Sequence, residues 1–208
     1  MTTNYPISLT YHEICSPSDP IFQPWLDLYE TAFPPEERLP VSFFLRVLVN
    51  RSADIPEDRH LIAVFNMEKF TGLICYWDVE PLKMIYLWYF AVVPEGRNQG
   101  TGKQIYHDLV QMIPSGYLGM MFDVETPAFA SDDNQKNLRS RRIDFYRRNG
   151  ARLVDGVYYM MQAGPFNPEM PMHIMIHPLQ ELNIQQALEI TRQVLEKPFI
   201  QTGTPHLV

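Results

Sequence analysis

Between Phe90 and Lys103 the chain reads Phe-Ala-Val-Val-Pro-Glu-Gly-Arg-Asn-Gln-Gly-Thr-Gly-Lys. An apolar run stops at Pro94, a turn follows, and apolar residues then recur at helical spacing. Gly100 and Gly102 let the backbone approach a ligand closely and take positive φ where a turn needs it. The first turn of a helix offers unpaired N–H groups and a partial positive charge. Arg97 and Lys103 add full charges on either side. The segment Arg97, Asn98, Gln99, Gly100, Thr101, Gly102 and Lys103 therefore reads as a pyrophosphate site. Two nucleotide patterns are excluded. Five residues separate Gly96 from Gly102 where a Walker loop has four, and Gln104 follows Lys103 in place of Ser or Thr. A dinucleotide fingerprint starting at Gly100 requires a glycine where Ile105 stands. What is left, Arg97-x-x-Gly100-x-Gly102, gains meaning from its place between an apolar strand and a helix.

A second motif follows: Phe145-Tyr146-Arg147-Arg148-Asn149-Gly150-Ala151. With the Arg97–Gly102 pattern and the preceding Phe90-Ala91-Val92, it makes the chain resemble the GCN5-related N-acetyltransferase (GNAT) superfamily. The order of elements resembles the family over about residues 7–177, and Pro34-Pro35-Glu36-Glu37-Arg38 looks like the linker between its first two helices. One departure is Ala151, where the family usually has Phe.

The resemblance implies acetyl-coenzyme A as co-substrate and no metal. Its pantetheine arm would pair with backbone groups of Phe90, Ala91 and Val92, and a strand-four N–H would polarise the thioester carbonyl. Tyr146 matches the tyrosine that serves many members as general acid. A phenol with a pKa near ~10 is a weak acid, so placement beside the sulfur matters. Many members also carry a strand-four glutamate, whereas this chain has Tyr86-Leu87-Trp88-Tyr89. Asp123 and Glu125 are the nearest carboxylates. They share one face of the fifth strand, and Glu125, at its end, is the candidate base. Glu36 and Glu37 are candidates for contact with the acceptor. The family's Asn and Ala on the following helix are Arg139 and Arg142 here. The function implied is acetyl transfer to a primary amine of a small molecule by direct attack. The alternatives are a protein or peptide N-acetyltransferase and a non-catalytic acyl-CoA-binding module.

Other features have plainer readings. His173 and His177 lie about 13 Å apart along a strand, too far to share one metal ion. Arg139, Arg141, Arg142, Arg147, Arg148 and Arg152 read as a solvated basic face paired with Asp132, Asp133 and Asp144, or as a contact for the 3′-phosphate of coenzyme A. Cys15 and Cys75 form no C-x-x-C pair and read as reduced thiols.

The elements that must position these residues follow from pattern. A strand over Ile7–His12 leads to helices over Phe22–Phe33 and Val41–Arg51. Strands over His60–Phe65, Phe70–Trp77 and Met84–Val93 come next, the last apolar throughout as a central strand should be. Beyond the loop lie a helix (Gly100–Met112), a strand (Gly119–Glu125), a helix (Asp133–Asn149), two strands (Tyr158–Met161, Met172–His177), a helix (Leu179–Glu196) and a loose tail. The expected fold is α/β. Its mixed, mainly antiparallel sheet has about seven strands, splayed between the fourth and fifth and flanked by helices. Residues 1–178 form the expected catalytic domain, with 179–208 a C-terminal helix and tail packed on it. The chain has 208 residues, 46% of them hydrophobic, and a net charge of −7. That charge disfavours nucleic acid and anionic membranes as partners. With no long apolar run and no leader-like start, the expected location is the cytoplasm, with a possible homodimer through C-terminal elements.

Overall fold

Phe22, Trp25, Leu26, Leu28 and Tyr29 recur at helical spacing and are all buried on the first helix, α1 (Phe22–Ala32). Phe33 turns extended after it (φ −117°), as the residue before a proline must. The computed structural model describes residues 8–49, 59–161, 168–195 and 206–207. The chain divides into two compact units.

The first unit comprises Met1–Phe33, Pro40–Trp77 and Leu87–Met112. It holds β1 (Leu9–Glu13), α1, α2 (Val41–Val49), β2 (Arg59–Asn66), most of β3 (Lys69–Val79), the second half of β4 (Met84–Val92) and α3 (Thr101–Met112). Its core is aromatic. Tyr29 meets Phe44 and Tyr89 edge-on at ring distances of 4.9 and 4.7 Å, and Trp25 meets Phe44 at 5.3 Å. Such pairs contribute about 0.5–1.5 kcal/mol each beyond burial. The buried Trp25 indole satisfies its N–H on the Ile62 carbonyl (3.1 Å), fixing α1 on β2. Tyr89 anchors β4 in this core, directly before the expected cofactor backbone of Phe90, Ala91 and Val92.

The second unit comprises Pro34–Leu39, Asp78–Tyr86 and Ile113–Val208. It holds β5 (Gly119–Glu125), α4 (Asp133–Arg148), β6 (Arg152–Met161), β7 (Met170–Pro178), α5 (Ile184–Leu195) and β8 (His206–Leu207). The strand order is β1-β2-β3-β4-β5-β7-β6-β8. Among the described pairings β4 with β5 is parallel and the others are antiparallel. The parallel ladder joins Met84, Ile85 and Tyr86 to Gly119, Met120 and Met121. Both strands run on past this ladder. Among the described residues no helix is long and apolar enough to cross a membrane.

Most boundaries shift by one or two residues from expectation, and three differences are larger. The sheet has eight strands because His206–Leu207 pairs with Val157 and Tyr158, so part of the expected tail is a strand. β6 starts six residues early, at Arg152. Its Asp155-Gly156 reads as a turn, and the ladder absorbs it in a register shift between Leu153 and Tyr158. α5 starts five residues late, at Ile184. There the Asn183 side chain accepts from the Gln186 amide (2.9 Å), and Gln186 Oε1 accepts from the Asn183 amide (3.0 Å). This reciprocal cap fixes the start of the helix. Ile7, Arg51, Glu196 and most of the tail lie outside the described residues.

α4 is bounded at both ends by its own sequence. The Asp132 carboxylate accepts the Gln135 amide at 2.8 Å, an N-cap. At the other end Ala151 N–H donates to Tyr146 O (3.0 Å) and Gly150 N–H to Arg147 O (3.1 Å), a Schellman closure with Gly150 at φ +99°. A Cβ on Gly150 would lie 2.9 Å from His177 Cε1. Ala151 is buried in the closure, which leaves little room for the larger Phe of the resembled pattern. Gly150→Ala therefore combines a left-handed backbone with a steric contact. It is expected to lower the unfolding free energy by about 1–3 kcal/mol in chemical denaturation.

Candidate active site

In the first unit, β4 delivers the chain at Val92 to a single 3-10 turn, Pro94–Gly96. Val93 N–H donates to Thr71 O (3.0 Å) and Arg97 N–H to Pro94 O (3.2 Å), tying the turn to β3. The Arg97 side chain folds back, its Nε donating to Val92 O at 3.2 Å. Gln99 Nε2 caps the Glu95 carbonyl at 2.6 Å. Asn98 (φ +60°) and Gly100 (φ +85°) both take left-handed backbone, and α3 opens at Thr101. Gly100 does what a glycine is expected to do there. Gly102 does not, because it is helical. A Cβ added to Gly102 would meet nothing nearer than Val92 Cγ2 at 3.6 Å. The fold thus gives no packing reason for this glycine, whereas a ligand lying on the first turn of α3 does. Arg97, Asn98, Gln99, Gly100 and Lys103 are exposed, and Phe90, Ala91, Val92 and Gly102 are half-buried. Only Thr101 of the expected set is buried. This cradle of left-handed backbone, helix N-terminus and two cations fits a pyrophosphate.

In the second unit, Glu125 ends β5 and is buried. It is not the solvated strand end that a bare reading allows. Arg142 Nη1 of α4 donates to Glu125 Oε2. Arg139, one turn earlier, lies with Nε 3.8 Å from Glu125 Oε1 and donates from Nη1 to Thr126 O at 3.0 Å. The two arginines therefore leave the expected solvated basic face and turn to one carboxylate. Asp132 is absorbed in capping rather than in pairing with them. Arg139, Arg142 and Tyr146 are three and four residues apart, one face of α4.

A second carboxyl completes the cluster. Glu37 ends the single 3-10 turn Pro35–Glu37, and its side chain hydrogen-bonds Glu125. Burial first, and then the negative charge of Glu125, push the Glu37 carboxyl up to about 8, with Arg142 opposing. Tyr146 stands beside the pair, buried, its ring 4.3 Å from that of Phe122. Burial pushes its phenol up to about 12, with Arg142 opposing and Glu125 and Asp123 reinforcing. Asp123 accepts the Tyr86 hydroxyl at 3.0 Å, which leaves Glu125 as the strand-five carboxylate that opens on a cavity. That cavity has a volume of about 830 Å³ and is lined by Glu36, Glu125, Phe129, Arg139, Met160 and Met170 among others.

The structure thus brings Tyr146 and Glu125 of the expected site together and adds Glu37, Arg139 and Arg142. From the sequence, Glu37 is expected as an acceptor contact, and the arginines as a solvated face or a contact for the 3′-phosphate of coenzyme A. The signal that could have found them is the 139/142/146 spacing, which puts two cations and the tyrosine on the same side of one helix.

A carboxyl whose proton is held more tightly in the folded than in the unfolded chain makes folding bind protons between its two pKa values. Stability then falls as pH rises through that window. For Glu37 the window runs from the ordinary glutamate range to about 8. The Tm of Glu37→Gln, followed by thermal melts, should therefore rise relative to the wild type between pH 5 and pH 8, with the gap closing below pH 5.

The model of the acetyltransferase (GNAT) family matches residues 22–151. No curated protein sequence matches the chain significantly. Among solved structures, a protein from Bacteroides thetaiotaomicron assigned to the GNAT acetyltransferases superposes with a TM-score of 0.75 at 24% identity, covering 92% of this chain and 98% of that one. The ribosomal-protein-S18-alanine N-acetyltransferase of Escherichia coli gives 0.55 at 16% identity, with 85% and 97% covered. A GNAT acetyltransferase of Elizabethkingia anophelis with acetyl-CoA bound gives 0.50 at 14%, with 82% and 98% covered. These likenesses are of fold.

Proposed function

The chain belongs to the acetyltransferase (GNAT) family, and on that footing we propose that it moves the acetyl group of acetyl-CoA to the primary amine of a small molecule by direct attack. The observation that carries the small-molecule reading is the cavity of about 830 Å³ on which Glu125 opens. That volume lies in the range of small-ligand sites. Glu36 and Glu169 add negative charge to the lining, while Phe129, Met160 and Met170 supply apolar surface. This suits an amine that arrives as a cation on an apolar body.

Acetyl-CoA supplies the activated acyl group. In this reading, Arg97, Lys103 and the backbone from Asn98 to Gly102 hold its pyrophosphate, and Phe90, Ala91 and Val92 present backbone groups to its arm. Glu125 receives the acceptor's proton. Tyr146 donates a hydrogen bond to the departing sulfur. With its own proton held well above the usual phenol range, Tyr146 stays protonated at any physiological pH. It serves as a donor that is always loaded, and its reluctance to ionise limits how far the proton travels before the C–S bond has broken.

The test is a screen of amines, polyamines, amino acids and peptides for coenzyme A thiol release. Small amines should give turnover and peptides none, and turnover with peptides alone would overturn the small-molecule reading. With the best acceptor, Tyr146→Phe should lower kcat by about 10–100-fold, within the usual span of a general acid, and leave the KM for acetyl-CoA unchanged. An unchanged kcat would remove Tyr146 from the mechanism.

A further inference from the structure

We propose that Glu37 and Glu125 work as a single proton-accepting pair, in which Glu125 faces the acceptor cavity, Arg142 holds it in place and Glu37 shares the proton that the pair takes from the acceptor and releases to solvent before the next turnover. The inference rests on the acetyl-transfer reading above. Its geometric basis is independent of any cofactor. Glu125 lines the cavity, accepts from Arg142 and shares a hydrogen bond with Glu37. A hydrogen bond between two carboxyl groups requires a proton between them, because two carboxylates repel. The surroundings decide how firmly that proton stays. The turn bearing Glu37 contributes Glu36, which is negative. β5 contributes Glu125 and, by way of Tyr146, the charge of Asp123. α4 contributes Arg142, with Arg139 3.8 Å from Glu125, and the neutral Tyr146. Glu169 adds a carboxylate to the cavity lining, with Met160 and Met170 apolar beside it.

With one shared proton, the two glutamates and Arg142 sum to no net charge. Without it they carry one negative charge, facing the acceptor. That form is the base. An incoming ammonium gives the pair one N–H proton and becomes a neutral amine. Its lone pair forms the C–N bond at the thioester carbonyl. The C–S bond breaks with its electrons on sulfur, and the second N–H proton ends on the sulfur. The pair then loses its proton to solvent. Ammonium and thioester have become amide, thiol and one proton. The second carboxyl raises the affinity of the pair for a proton toward the working pH, where a general base is most effective. The pair titrates as a unit, so its pH dependence belongs to both residues.

Carbon NMR of the full chain, labelled at glutamate side-chain carboxyls, tests the pair without any substrate. In the wild type one glutamate carboxyl should keep its proton above pH 7, and Glu37→Gln should abolish that titration. If every glutamate titrates below pH 6, the proposal is wrong. The second arm compares kcat against pH for the best acceptor from the amine screen. Titration of the acceptor itself is common to all variants, so a difference between profiles reports the pair. Glu37→Gln should move the rising limb down by more than one pH unit, and Glu37→Asp should restore it. Superimposable wild-type and Glu37→Gln profiles would overturn the pair while leaving acetyl transfer intact. A wild type that carries the high-pH carboxyl but acetylates no amine would instead remove the acetyl-transfer reading, and the pair's catalytic role with it.

Discussion

A carboxylate cannot leave water at the end of a strand without compensation, and at Glu125 the rest of the second unit is arranged to supply it. Desolvating a carboxylate costs several kcal/mol even after relaxation, and the cost is recovered only with close opposite charge and filled hydrogen-bond sites. Arg142 and Arg139 supply the charge and Glu37 fills a remaining site. Each of these demands constrains the fold. α4 must run with its 139/142/146 face toward β5, which its Asp132 cap and Gly150 closure fix at either end. The turn at Pro35–Glu37 must return to the end of β5. Tyr146 is placed by the same face of the helix that carries the arginines. The chemistry of the site is therefore a by-product of solving one electrostatic problem.

The first unit solves a different problem with backbone. Its aromatic core, centred on Tyr29, Phe44 and Tyr89, fixes β4 up to the point where the strand ends. Two left-handed residues then swing the chain so that the amides of α3 open on the exposed loop. Here the backbone supplies the hydrogen-bond donors, while Arg97, which braces Val92, and Lys103 add positive charge. A site made of amides and a helix dipole suits a ligand that every family member shares, because it survives change in almost all side chains. The cavity beside Glu125 is made of side chains instead, which suits it to the acceptor in the proposed reaction.

How much of this is visible in the sequence follows from the range of the interactions. The loop is visible because its determinants lie within Arg97–Lys103, and failure to fit two other phosphate motifs narrows what it holds. Tyr146 is visible through its neighbours Phe145 and Gly150. The carboxyl pair is not, because residues 37, 125 and 142 meet only through tertiary packing, and no spacing rule links them. The arginines mislead for the same reason. A basic helix resembles a solvated face until a buried carboxylate is known to lie opposite. The start of α5 is readable from Asn183 and Gln186, three apart, rather than at the expected Leu179. In β6, Asp155-Gly156 imitates a turn that the ladder in fact spans.

The claim on which everything else rests is that the loop from Arg97 to Lys103 binds the acetyl donor. Isothermal titration of the full chain with acetyl-CoA measures this directly, without knowledge of the acceptor. The account predicts one site with a dissociation constant below the millimolar range, weakened at least about tenfold (~1.4 kcal/mol) by Arg97→Ala. Absence of binding at millimolar acetyl-CoA would contradict it.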